Sequence, residues 1–220
     1  MRWTISFVSH LICFYIADVT GESNTSCMNR DPPIWPHRLV LVQHLVPHSN
    51  STVSASTTVT FYDWERGANL IQITPDNPNE QVSWDLELDS KKSYYFTPAT
   101  RECREKSFPV GILRPDWLNG SEPIGESTGW NGRTVCGWTK GPEFINYYED
   151  KHTREPNSWF FFEMKADFNV LYFGTEVEIP HLEWFQPPPY CLGSHSSKRK
   201  EQKERTRSSS KMRLNHATIQ

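Results

Sequence analysis

The dominant period along the chain is two. In QVSWDLELDS, residues 81–90, Val82, Trp84, Leu86 and Leu88 alternate with Ser83, Asp85, Glu87 and Asp89, the pattern of a strand with one buried face and one wet face. Burying four such side chains supplies roughly 6 to 12 kcal/mol before chain entropy is subtracted. Val53, Ala55, Val59 and Phe61 repeat the rhythm, and RLVLVQHLV, residues 38–46, is a β-branched run suited to a strand buried on both sides. SYYFT (93–97), RTVCGWT (133–139), EFINYYED (143–150), SWFFFEMK (158–165) and FNVLYF (168–173) are further candidates, punctuated by Pro and Gly. No segment sustains a helical period beyond about ten residues. The pattern predicts a mainly β fold, a β-dominated member of the α+β class. Its expected form is a curved antiparallel sheet, a half-barrel around an apolar core or cavity, with few short helices.

The stretch FYDWERGANLIQI, residues 61–73, reads as a hairpin, with Glu65-Arg66-Gly67-Ala68 between two strand-like segments and Gly67 free to take positive φ. Alternation puts Phe61 and Asp63 on one face and Tyr62 and Trp64 on the other. Asp63 then either caps the turn at the rim or enters the interior and needs a partner such as Arg66; the rim is the expectation, because a buried carboxylate must be paired.

In WFFF and YYF consecutive positions are aromatic, so both faces of those strands are apolar. One face fills the core and the other must meet a second layer, a partner or a ligand. An aromatic-lined concavity that binds an apolar or amphipathic molecule satisfies this demand, with Tyr62, Trp64, Trp84, Tyr95, Tyr147, Trp159 and Phe161 as its candidate wall. A solid core, making the protein an extracellular interaction module, satisfies it too.

The two ends of the 220-residue chain differ from its middle. Residues 1–21 have a basic start, an apolar run from Trp3 to Ala17 and small residues near Val19 and Gly21, the features of a secretory signal. The run is too short to span a bilayer, which needs about 20 apolar residues, so no transmembrane segment is expected once it is removed. The stretch HSSKRKEQKERTRSSSKMRLNHATIQ carries eight Lys or Arg against two Glu and no aromatic residue. It reads as a basic disordered tail over 194–220. The body left between is acidic, and neither part has the basic, aromatic-interleaved surface of a nucleic-acid binder, so nucleic acid is not an expected partner. Residues 22–34 form an N-terminal segment and 35–193 a single β-rich domain.

Export changes how the cysteines are read. Cys27, Cys103, Cys136 and Cys191 remain after the leader, an even number in an oxidising compartment, and two disulfides follow with the pairing open. None lies in a CxxC pair, so zinc is not expected. Acceptor sequons at Asn24, Asn50 and Asn119 agree with secretion and predict surface loops there.

The ordered series FYDWERG, VGILRPDWLNG, NYYEDKHTREPNSWFFF and LEWFQPPPYC, spanning Trp35 to Cys191, resembles a family of uncharacterised secreted proteins best populated in plants. Tyr62, Asp63, Trp64, Arg114, Trp117, Tyr147, Tyr148, Glu149, Asp150, Pro156, Trp159, Tyr190 and Cys191 match its motifs. The basic tail and the loop GSEPIGESTGWNGRT depart from them. More remotely the chain is similar to ependymin-related proteins and lipoprotein-carrier half-barrels, which implies a curved sheet enclosing an apolar cavity and, by fold analogy, a lipid-like ligand.

Enzymatic readings find less footing. GESTG, residues 125–129, matches the nucleophile-elbow pattern with Ser127 central, but its neighbours are loop-forming and no strand-to-helix turn is expected. Glu149 and Asp150 beside His152 are the better candidates for a hydrolase or transferase acting on carbohydrate or another substrate. Adjacent strand residues point to opposite faces, however, so a strand end turning through Lys151 to Pro156 is expected instead. His152 and His181 have no second histidine at helical or hairpin spacing; His44 and His48 are an even number apart and could share a face, but Pro47 intervenes, and with His37 they read as surface or satisfied histidines. The expectation is a secreted binder of a lipid-like ligand, without cofactor or metal.

Overall fold

The computed structural model describes residues 26–175 and 182–192. The expected signal (1–21), the sequon at Asn24, His181 and the basic tail (194–220) lie outside the described residues. The chain forms β1 (Arg38–Pro47), β2 (Ser56–Asp63), β3 (Ala68–Pro75), β4 (Ser83–Leu88), β5 (Lys92–Thr97) and β6 (Glu102–Ser107). After a loop over 108–121 come β7 (Glu122–Thr128), β8 (Thr134–Lys140), β9 (Ile145–Asp150), β10 (Pro156–Phe161) and β11 (Ala166–Gly174). Short 3-10 turns occupy Cys27–Asn29 and Leu182–Phe185.

All strands belong to one 11-stranded sheet in the order β6-β5-β4-β3-β2-β1-β11-β10-β9-β8-β7. Every pairing is antiparallel, and the first strand meets the last at the centre. The chain thus walks outward to one edge, crosses by the 108–121 loop to the other, and walks back inward. The sheet is open and strongly curved. In a flat sheet β2 and β9, four places apart, stand about 19 Å from each other. Yet the Trp35 ring lies 6.0 Å from Tyr62 on β2 and 6.4 Å from Tyr147 on β9. The face that carries these rings is therefore concave. Register shifts at Val42/Gln43, Pro123/Gly125 and Pro156/Ser158 bend the strands where they occur.

The concave side holds the larger core. Leu39, Leu41, Tyr62, Trp138, Ile145, Tyr147, Trp159 and Val170 face inward from the strands, and Trp35, Ile112, Trp117 and Leu118 fill the space between them. The loop's seat leaves no room for a side chain at Gly111, where a Cβ would stand 3.0 Å from the Asp89 backbone. A smaller core lies on the outer face of β3–β5: Ala68, Leu70, Leu86 and Tyr94 are covered by Phe185 and Cys191 of the C-terminal strap. Disulfides Cys27–Cys136 and Cys103–Cys191 tie the N-terminal segment to β8 and the strap to β6.

The hairpin forms as the alternation requires, with Gly67 at φ +63° closing it. Asp63 caps the turn as expected, accepting a hydrogen bond from the Arg66 backbone N–H at 3.1 Å, but not at an exposed rim: the side chain is fully buried and pairs with Arg66 Nε at 3.2 Å and Arg38 Nε at 3.4 Å. Strands β6 and β7 were not legible in the periodicity, since ECREKS and EPIGEST are polar edge strands that carry charges where an exposed edge needs protection. Ser127 consequently sits exposed within β7 rather than in a loop, opposite Val135, and no helix follows it. Residues 162–165 of SWFFFEMK form a turn, with Lys165 at φ +50°.

The largest correction concerns β4. Trp84, Leu86 and Leu88 do share a face, but it is the outer one, and Asp85 and Glu87 point into the concavity. Asp85 is only 7% exposed. The polar face is not the wet face.

Candidate ligand-binding site

The strap does not seal the outer core. Between it and the sheet lies a groove of about 290 Å³, open to solvent, lined by Leu70, Trp84, Phe96, Pro98, Trp184 and Pro188, with Glu183 and Gln186 also contributing. Two strands and the strap supply its rings. Trp84 and Phe96 are cross-strand partners on β4 and β5, stacked at 6.3 Å with planes 9° apart. Trp184 meets Trp84 edge to face at 6.0 Å. The strap is held by the Cys103–Cys191 bond, by Phe96 against Tyr190 at 6.4 Å, and by Arg66 and Arg101 over the rings of Phe185 and Tyr190. Carbon lines the groove and carboxylate and amide groups sit beside it, an arrangement suited to a flat apolar body with a polar end.

Opposite this groove, on the inner side of the same strands, runs a polar wall. Asn69 of β3 stands across from Glu87 and donates through Nδ2 to Glu87 Oε2 at 2.8 Å. Tyr95 of β5 stands across from Asp85 and hydrogen-bonds to it. Burial, with the Glu87 charge beside it, pushes the Asp85 carboxyl up to about 7. Burial likewise raises Glu87, against the Asn69 hydrogen bond, and lifts the Tyr95 hydroxyl to about 12.

The seven residues expected to line one concavity fall in four places. Tyr62, Tyr147 and Trp159 are packed inside the concave core, where Trp159 stacks on Tyr147 at 5.9 Å and Trp35 Nε1 donates to the Tyr147 hydroxyl at 3.3 Å. Trp64 and Phe161 pack against that core from its margin. Tyr95 belongs to the polar wall and Trp84 to the groove. Sequence reasoning missed Trp184, because LEWFQPPPYC has no period that assigns a partner.

Glu149 and Asp150 are committed to the turn after β9. Glu149 is fully buried and faces Arg154, whose Nε lies 3.2 and 3.3 Å from its two carboxylate oxygens. Burial pushes the Glu149 carboxyl up against that pairing. Arg154, at φ +61°, also donates to the Asp31 carbonyl at 2.6 Å, so the pair staples the N-terminal segment in place. Burial would raise Asp150 too, but the Thr153 and His152 backbone N–H groups and Arg133 outweigh it and hold the carboxyl below its usual range. The geometry is that of a strand end, as the alternation argument requires. Asp85 and Glu87, by contrast, stand two apart on one strand and do share a face.

Among the described residues no helix is long and apolar enough to cross a membrane, and no group of three or more His, Cys, Asp or Glu side chains is placed to hold a metal. His44 and His48 instead pair with Asp76 at 2.9 Å and Asp167 at 2.6 Å. A search of curated proteins returns no match. Among solved structures, an uncharacterized conserved protein from Thermus thermophilus is similar at a TM-score of 0.47 and 11% identity, over 69% of this chain and 85% of that one. The motifs from YDW to the final PYC fall within residues 34–191, which match the family described as Domain of unknown function (DUF8395), and the chain belongs to that family.

Proposed function

We propose that this protein is an exported carrier or sensor that binds a small amphipathic molecule, lipid-like in having an apolar body and one polar end, in the groove between β3–β5 and the strap. The observation that carries the reading is the groove itself: Trp84, Phe96 and Trp184 face about 290 Å³ of open space in a molecule whose other large aromatic cluster is filled. That volume is at the small end of ligand sites, roughly 300 to 1,000 Å³, and suits one acyl chain or a fused-ring system. The strap is cross-linked to β6, so the walls are set before a ligand arrives and little ordering entropy opposes binding. Export is supported by the leader-like residues 1–21, by two disulfides, and by exposed side chains at Asn50 and Asn119, as a glycan requires.

Native mass spectrometry of the protein after mild extraction, together with titration by a fluorescent fatty acid, tests this. A co-purifying adduct or saturable uptake is expected, and Trp184→Ala weakens uptake at least fivefold. Absence of both adduct and uptake, or uptake indifferent to Trp184→Ala, removes the proposal.

A further inference from the structure

The inner face of the half-barrel changes character at β2. On the β8–β11 side it is aromatic and filled, whereas across β2–β5 it presents Thr58, Thr60, Asn69, Asp85, Glu87 and Tyr95. Buried polar atoms in a native interior are paired, because each one left unpaired costs about 1 to 3 kcal/mol. Here Asp85, 7% exposed, has no hydrogen-bond partner for Oδ1, and Gln43 of the same inner face, 4% exposed, has none for Nε2. The half-buried Asn69 likewise leaves Oδ1 unpartnered.

Two of these three atoms, Asp85 Oδ1 and Asn69 Oδ1, are acceptors on neighbouring strands at diagonal positions of one face. Asp85 and Glu87 both point inward from β4, about 7 Å apart along the strand, and Asn69 is Glu87's cross-strand neighbour. The cations that face this wall stop short of pairing with it. Arg104 and Lys106 of β6 sit over the Tyr95 ring, 5.8 and 5.3 Å from its centroid; Lys106 offsets part of the Asp85 charge from there, without an ion pair to either carboxylate. An anionic ligand would add a third negative charge to this wall, and an alcohol brings one donor to a set of acceptors. An ammonium group brings three donors and the opposite charge. Ile71 and Ile73, half-buried on the same face of β3, offer apolar surface beside it.

The geometry points to a binding site for a protonated organic amine on the inner wall, with Asp85 and Glu87 as counter-charges, Asn69 Oδ1 as a further acceptor, and Ile71 and Ile73 against its carbon chain. This site is separate from the groove, since Trp84 and Asp85 are neighbours on β4 and face opposite sides. Its affinity rises with pH through about 7, where Asp85 ionises. The titratable and charged groups facing Asp85 are Glu87 on its own strand, Tyr95 on β5, and Arg104 and Lys106 on β6; β3 contributes only Asn69, Ile71 and Ile73.

Titration of the full disulfide-bonded chain at pH 8 with octylammonium, octanol and octanoate, three heads on one chain length, tests the assignment. Octylammonium is expected to bind at least tenfold more tightly than the other two. The Asp85→Asn/Glu87→Gln variant should lose at least tenfold of that affinity, and Trp184→Ala should keep it. In the unmutated protein the carboxyl carbon resonance of Asp85 gives a second readout, and its titration midpoint should fall when octylammonium is saturating. Equal affinity for the three probes, an unmoved midpoint, or loss in Trp184→Ala with retention in the double variant overturns the inference.

Discussion

The concave core and the outer core draw on the same residue types and become different objects. In the concave core Trp35, Trp117, Tyr147 and Trp159 interlock, with ring centroids 5.6 to 6.4 Å apart and planes ranging from nearly parallel to perpendicular. Aromatic groups that arrive from several directions pack closely against one another, some face to face and some edge to face. On the outer side the cover is a single strap, whose 3-10 turn puts Phe185 in the core and leaves Trp184 at the surface. One thin layer buries the middle of the patch and leaves its flank open. A filled cluster follows from cover on several sides, and a groove from cover on one.

That contrast can be broken most directly by truncation. Trp159→Ala removes a ring that is 7% exposed and stacked on both sides by Tyr147 and Phe168. It should cost about 3 to 5 kcal/mol in urea unfolding. Trp84→Ala, at the groove, should cost about half of that; equal costs would mean that the outer cluster is as solid as the inner one. Next in size, Cys103→Ser with Cys191→Ser should lower stability by about 3 kcal/mol, read as a lower unfolding midpoint. It should also abolish groove binding while leaving the near-ultraviolet signal of the concave core largely intact. Arg154→Ala, which leaves Glu149 buried without its partner, should cost about 2 kcal/mol. That value is discounted because Arg154 is 42% exposed.

An effect of a different kind, spread over a pH range, comes from Asp85. Asp85 has a folded value near 7 against about 4 unfolded. The folded state therefore holds its proton more tightly, and stability falls as pH rises between these values, by at most about 1.4 kcal/mol per pH unit, levelling off above 7. Glu87, also raised, acts in the same direction. Asp150, held low, contributes the reverse: stability present at neutral pH and lost on acidification below the carboxylate range. Asp85→Asn should flatten the slope between pH 4 and 7 in thermal denaturation, and an unchanged slope would show that the inner wall is wet.

Local chemistry made much of this legible. The hairpin around Gly67, the strand from Arg38 to Pro47 and the evenness of the four cysteines were readable because each depends on neighbours in sequence. The strands at 102–107 and 122–128 were not, since an edge strand protects itself with charge and so loses the alternation by which strands are recognised. Trp184 was missed for another reason. Its partner Trp84 is brought to it by a disulfide and a returning chain, not by any local period.

The sequence by itself determined that strands with two chemically distinct faces follow one another in a meander, and that Cys27, Cys103, Cys136 and Cys191 can pair two by two. Which face turns inward was decided only by tertiary contacts. Period two makes both faces but carries no sign of curvature. The sign comes from Trp35 and the 112–118 loop filling one side and the strap covering the other. For that reason Trp84 looks outward across a groove, and Asp85, its neighbour, is buried in the hollow of the sheet.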